Sequence, residues 1–119
     1  METQKTLYIP KFNGVPIENW DATKSFYTDA IEFPYSIPWS FQFYAGSEGW
    51  NPGAGTYGVL HSNTPNINDS VIYANIEDVN LSDPQRLAYQ AGFFGSRYMF
   101  IYYNPGGGET GTFTIQFSK

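Results

Sequence analysis

A reaction run by this chain would have to be built from one histidine, His61, and eleven carboxylates, because there is no cysteine. A lone histidine at a strand end is usually a surface or capping residue, and no Gly-x-Ser-x-Gly elbow accompanies it to supply a nucleophile. A zinc site would need carboxylates beside His61 to complete its ligand set. Glu77 and Asp78 are adjacent, so on a strand they face opposite ways and cannot flank one glycosidic bond. A hydrolase would therefore use His61 or a distant pair such as Glu48 with Asp78. Gly53-Ala54-Gly55-Thr56-Tyr57-Gly58 has the dinucleotide spacing G-x-G-x-x-G. That signature works by aiming a helix N-terminus at pyrophosphate, and Val59-Leu60-His61 is too short a run before Pro65 to make one. The oxygen-rich loops Asn66-Ile67-Asn68-Asp69-Ser70 and Glu77-Asp78-Val79-Asn80 lack EF-hand spacing and read as turns whose side chains bond their own backbone, with calcium as the alternative. Asn68-Asp69-Ser70 and Asn80-Leu81-Ser82 fit the glycan acceptor pattern, which has a use only on secretion. The expectation is a protein without catalytic residues, metal or cofactor.

Aromatic residues are the second kind of chemistry on offer. Tyr, Trp and Phe make up 19% of the chain while only 14% of residues are charged, against about 25% charged in an ordinary domain. Such a chain either hides an unusual amount of surface or presents aromatic surface to something else. Tyr44, Trp50, Tyr57, Tyr73, Tyr89, Tyr98, Tyr102 and Tyr103 carry polar handles that seldom enter a core without a partner. Trp50, Tyr57, Tyr98, Tyr102 and Tyr103 are the candidates for ligand or interface contact. Rings on a rigid β surface suit stacking on sugar faces, with Trp50, Tyr57 and Tyr103 as the platform, or packing between subunits; filling the domain's own core is the alternative.

Charge narrows the partners. The net charge is -5, with six basic residues and no basic cluster, so nucleic-acid binding lacks its electrostatic driving force. No run reaches membrane-spanning length, and Met1 to Pro10 has no apolar signal-peptide core, so neither membrane insertion nor secretion is expected. The absence of cysteine fits synthesis in a cytoplasm.

The elements that would position these residues read as strands. Ser96 to Lys119 is strand, turn, strand, a hairpin in which Phe113, Ile115 and Phe117 alternate with Thr112, Thr114 and Gln116. Its first strand is apolar or aromatic on both faces, so it should be central in a sheet or face a partner chain. Residues 6 to 12 read as an edge strand turned by Asn13-Gly14. Asp21 to Phe33 is predicted to be a short helix or turn, capped by Asp21 and carrying Phe26, Ala30 and Phe33 at helical spacing. Further strands are predicted over Trp39 to Tyr44, Thr56 to His61, Val71 to Ile76 and Arg86 to Ala91. The frame Asn-Pro-Gly-x-Gly-x-x-Gly occurs twice, from Asn51 and from Asn104. It reads as one turn solution used twice, in preference to a duplicated hairpin, since little else is shared. About seven short strands with Gly/Pro turns predict one all-β domain over residues 1–119, an antiparallel β-sandwich or barrel with at most one short helix.

Residues 85–89 (Gln-Arg-Leu-Ala-Tyr), 95–102 (Gly-Ser-Arg-Tyr-Met-Phe-Ile-Tyr), Gly106-Gly107-Gly108 and Gly111-Thr112-Phe113-Thr114, with Gly58-Val59-Leu60 before them, resemble the knob-like C-terminal domain of bacteriophage tail fibres and pyocin fibres. The resemblance covers roughly Gly55 onward and departs from the family at its close, where two tryptophans three apart are usual and Phe113 and Phe117 here stand four apart. It implies a non-enzymatic virion protein, assembled in a host cytoplasm, homo-oligomeric with a trimer favoured. Such a protein contacts other virion proteins, as a fibre tip or as a capsid or tail accessory subunit, or a host-surface glycan. The alternatives are a free-standing carbohydrate-binding module or lectin, and a small hydrolase.

Overall fold

Alternation of buried rings with polar residues dictates the architecture. The computed structural model describes residues 7–73, 76, 78–82, 87–90 and 95–119, with the backbone alone for 87–90. It contains β1 (Leu7–Tyr8), β2 (Lys11–Phe12), β3 (Val15–Pro16), β4 (Trp20–Asp21), β5 (Phe26–Tyr27), β6 (Ile31–Glu32), β7 (Trp39–Asn51), β8 (Thr56–Ser62), β9 (Val71–Ile72), β10 (Val79–Asn80), β11 (Leu87–Gln90), β12 (Tyr98–Asn104) and β13 (Thr110–Ser118). Of the expected strands, residues 6, 74, 75, 86 and 91 lie outside the described residues. The first sheet runs β1-β13-β7-β11, with β4 also on β13; the second runs β10-β8-β12-β5, with β9 on β8 and β6 on β12. All pairings are antiparallel. The chain is thus all-β, as expected, though built from four long strands and many two-residue ones.

The two sheets pack face to face through rings. Trp39, Phe41 and Phe43 on β7 and Phe113, Ile115 and Phe117 on β13 supply one inner face; Tyr57 and Val59 on β8 and Met99, Ile101 and Tyr103 on β12 supply the other. Trp39, Phe41 and Phe117 are nearly parallel, with interplanar angles of 7°, 10° and 8°. Across the sheets, Phe41 meets Tyr57 edge-on at 5.5 Å and Phe113 meets Tyr103 at 4.9 Å, arrangements that suit the aromatic quadrupole.

The predicted C-terminal hairpin is corrected by the sheet topology. β12 pairs with β8, β5 and β6, while β13 pairs with β7, β1 and β4, so the two strands lie in different sheets. The segment from Asn104 carries the chain from the second sheet to the first, and the segment from Asn51 carries it from the first to the second. Both copies of the frame are therefore arches between sheets, and they lie against each other: the Ala54 N–H donates to the Gly107 carbonyl at 3.0 Å. The Gly53 N–H donates to the Asn51 side chain at 3.0 Å, which tightens the first arch. In the second arch Glu109 is buried and accepts from the backbone N–H groups of Gly106 and Gly107. Burial raises the carboxyl's pKa, but the N–H groups of Gly107, of Glu109 itself and of Gly106 prevail and hold it below the usual value. The stability Glu109 contributes is therefore present above the ordinary carboxylate pKa and lost as pH falls through its own lowered value. Between pH 5 and 3 the wild type should lose more stability than Glu109→Gln, which should be the less stable of the two at pH 7; urea titrations at several pH values read both.

The helix expected over Asp21 to Phe33 is replaced by β4, β5 and β6. Phe26 and Thr28 are buried while Tyr27 and Asp29 are exposed, a period of two that the helical spacing of Phe26, Ala30 and Phe33 concealed. Thr28 bonds Ile101 of β12 twice, donating from its N–H to the carbonyl at 2.8 Å and accepting the Ile101 N–H on its hydroxyl at 2.9 Å. Tertiary pairing thus overrides a weak helical preference. Asp21 does cap, but it caps a turn: its carboxylate accepts the Thr23 N–H and hydroxyl. Among the described residues the helical element is a three-residue 3-10 turn, Ile67–Asp69. Asn13 (φ 50°) and Gly14 (φ 79°) form the expected tight turn between β2 and β3, their N–H groups received by the Asp29 carboxylate.

Candidate functional site

Reactive groups do not converge among the described residues. His61 Nδ1 lies 2.7 Å from the Ser96 hydroxyl, and its ring packs edge-on to Tyr73 at 5.3 Å. Glu48 stands on β7 in the first sheet, whereas Asp78 precedes β10 in the second and accepts the Tyr102 hydroxyl at 2.8 Å. Among the described residues no three His, Cys, Asp or Glu side chains group as metal ligands would. The Asn66 side chain accepts the Asn68 N–H and that of Asn80 accepts the Ser82 N–H, so both loops use oxygens on their own backbone. Gly53 to Gly58 leads into β8, a strand, and its first glycine faces the second arch. Among the described residues no helix is long and apolar enough to cross a membrane, which says nothing of a β-barrel.

The aromatic candidates separate by strand face. Tyr103 is fully buried, stacked on Phe26 at 5.6 Å, and donates its hydroxyl to the Ala22 carbonyl at 2.5 Å. Burial, with the negative charges of Glu109 and Asp21, raises its pKa well above the tyrosine range, so it remains a donor. Tyr57 is buried against Phe43 at 5.1 Å, and burial raises its pKa too. Trp50 is half-buried against Phe113 at 5.0 Å. The platform of Trp50, Tyr57 and Tyr103 is therefore not a surface: Tyr57 and Tyr103 belong to the core, because the β8–β12 register points them inward with Val59 and Ile101.

Tyr98 and Tyr102 lie on the opposite, outer face of the second sheet. β12 is central there, as its apolar character requires: Met99, Ile101 and Tyr103 enter the core, and Tyr98, Phe100 and Tyr102 face outward. Register places Leu60 beside Phe100, Ile72 beside Leu60, and Tyr27 beside Tyr102. Tyr27 and Ile72 are well exposed, Leu60, Tyr98 and Tyr102 are half-buried, and Phe100 is buried. The Tyr102 ring lies over Gly58, where a Cβ would stand 2.2 Å from its Cζ and hydroxyl. At one end of this face Glu32 and Arg97 approach to 3.8 Å. The outer face of the first sheet differs: Ser40, Gln42 and Tyr44 run beside Ser118, Gln116 and Thr114, polar and uncharged.

Tyr27 and Tyr35 are among the most exposed rings; Tyr27 escapes a reading from sequence because the helical spacing assigned to Asp21 to Phe33 hides its alternation, and Tyr35 because it follows Pro34 outside any expected element. A period of two over residues 26–29 is the signal that finds Tyr27.

Compared with known proteins, the chain matches no family model, no curated protein and no solved structure.

Proposed function

We propose that this chain is a non-enzymatic structural subunit of a bacteriophage particle, whose copies associate through the outer face of the second sheet. The observation that carries the proposal is β12, a central strand with Met99, Ile101 and Tyr103 in the core and the rings of Tyr98, Phe100 and Tyr102 on the outer side, in a patch with Tyr27, Leu60 and Ile72. A second copy is the occupant this patch suits best. Its charged neighbours are Glu32 and Arg97, of opposite sign, and Asp78, which accepts the Tyr102 hydroxyl, so of the net charge of -5 only about one unit borders the patch. Surface area supports the same reading: 6652 Å² is exposed, close to the roughly 6500 Å² usual for a 13.4 kDa chain. The fold thus hides no unusual amount of surface, and its shortage of charge falls on the outside. The assignment to a phage particle draws on the resemblance to fibre knobs over the second half of the chain.

Light scattering coupled to size exclusion at micromolar concentration tests it. The expected mass is at least twice 13.4 kDa, and Tyr27→Asp combined with Ile72→Lys, both at exposed positions, should return the protein to a monomer with its β spectrum unchanged. A wild type that is strictly monomeric would overturn the proposal.

A further inference from the structure

We infer that a groove at one end of the second sheet is a binding site for a small neutral saccharide, stacked on Tyr35 and hydrogen-bonded by Arg97 and Asn63. The groove has a volume of about 350 Å³ and is lined by Phe33 to Ser36, Asn63 and Gly95 to Arg97. That is toward the small end of ligand pockets, which span roughly 300–1,000 Å³, and suits one or two sugar rings.

Three chain segments meet there, and backbone bonds hold them in place before any ligand arrives. The Phe33 N–H donates to the Arg97 carbonyl at 2.7 Å, and the Arg97 N–H donates to the Asn63 side-chain oxygen at 3.2 Å. With its oxygen so engaged, the Asn63 amide has its nitrogen as the donor to offer. Ser96 is tied to His61 at 2.7 Å. Such anchoring lowers the ordering cost of binding.

The chemistry of the walls selects the ligand class. Tyr35 is 68% exposed, an unusual position for a ring unless it has a use or is a solitary surface residue. Beside it stand a guanidinium, an amide and hydroxyls. A ring flanked by fixed donors matches a pyranose, whose C–H face is apolar and whose rim carries vicinal hydroxyls. Arg97 is the charged lining residue, and Glu32 at 3.8 Å offsets it. An anionic sugar would find Arg97 already facing Glu32 and, although the Lys119 ammonium lies 5.2 Å from the centre of the Phe33 ring, would have to enter a protein of net charge -5, so the neutral class is favoured.

The test is proton–nitrogen NMR of the labelled protein titrated to tens of millimolar with the methyl glycosides of glucose, galactose and mannose, and with sialyllactose as the acidic probe. At least one neutral glycoside should give saturable shifts at Gly95, Ser96 and the Asn63 side-chain amide. Tyr35→Ala and Arg97→Ala should each weaken binding by about tenfold or more, and Tyr35→Phe should retain it, with signals of the rest of the fold unmoved. No saturable shift with any neutral probe would overturn the inference, as would binding of sialyllactose alone, or binding indifferent to Tyr35→Ala. Repeating the titration on the Tyr27→Asp, Ile72→Lys protein keeps this outcome separate from that of self-association.

Discussion

Replacing Gly53 with alanine should lower the free energy of unfolding by about 2–5 kcal/mol, among the largest losses any single methyl can cause here. Gly53 has φ 52°, the left-handed region, which costs roughly 1–2 kcal/mol for a residue with a Cβ. The added carbon would also stand 2.5 Å from the Gly107 oxygen and 2.7 Å from the Glu109 nitrogen, both backbone atoms that cannot swing aside. The second arch would have to move, and with it the hydrogen bond from Ala54 to Gly107. Gly14→Ala is the control: its φ is 79° but the space around it is open, so the conformational cost alone applies. Urea unfolding of the two variants should separate them clearly; equal losses would show that the contact between arches does not matter.

Tyr103 offers the second large effect. Tyr103→Phe leaves the buried Ala22 carbonyl without its donor and should cost about 1–3 kcal/mol, while Tyr103→Ala also removes contacts with Phe26 and Phe113 and should cost about 3–5 kcal/mol. A ring that served at a contact surface would behave otherwise, leaving stability nearly untouched in both variants. Thermal or urea unfolding of the two proteins therefore decides whether this tyrosine is core.

The same residue shows what sequence can and cannot reveal. Alternation in Trp39 to Tyr44 and in Thr112 to Phe117 reports correctly which side of each strand is buried, because a period of two is a local property. The identity of each strand's partner is not local. An Asn-Pro-Gly turn bends the chain sharply, and nothing within it distinguishes a return along the same sheet from a passage to the opposite one. A strand apolar on both faces, such as β12, likewise leaves its orientation open until its register with β8 is known, and so Tyr103 and Tyr102 look equivalent in sequence. The Tyr35 groove was illegible for a related reason: its walls come from three segments far apart in the chain, joined by bonds such as Phe33 to Arg97.

The central place of β13 in the first sheet bears on how the protein comes into being. Synthesis proceeds from the N-terminus, so Trp39, Phe41 and Phe43 leave the ribosome well before Phe113, Ile115 and Phe117 exist to cover them, and Leu7 waits for Ser118. Pairings of such long sequence separation form slowly, and the interval leaves sticky strand edges open to neighbouring nascent chains. The molecule must therefore be kept from its neighbours until residue 118 has been made, and its native form is settled in the moments afterwards.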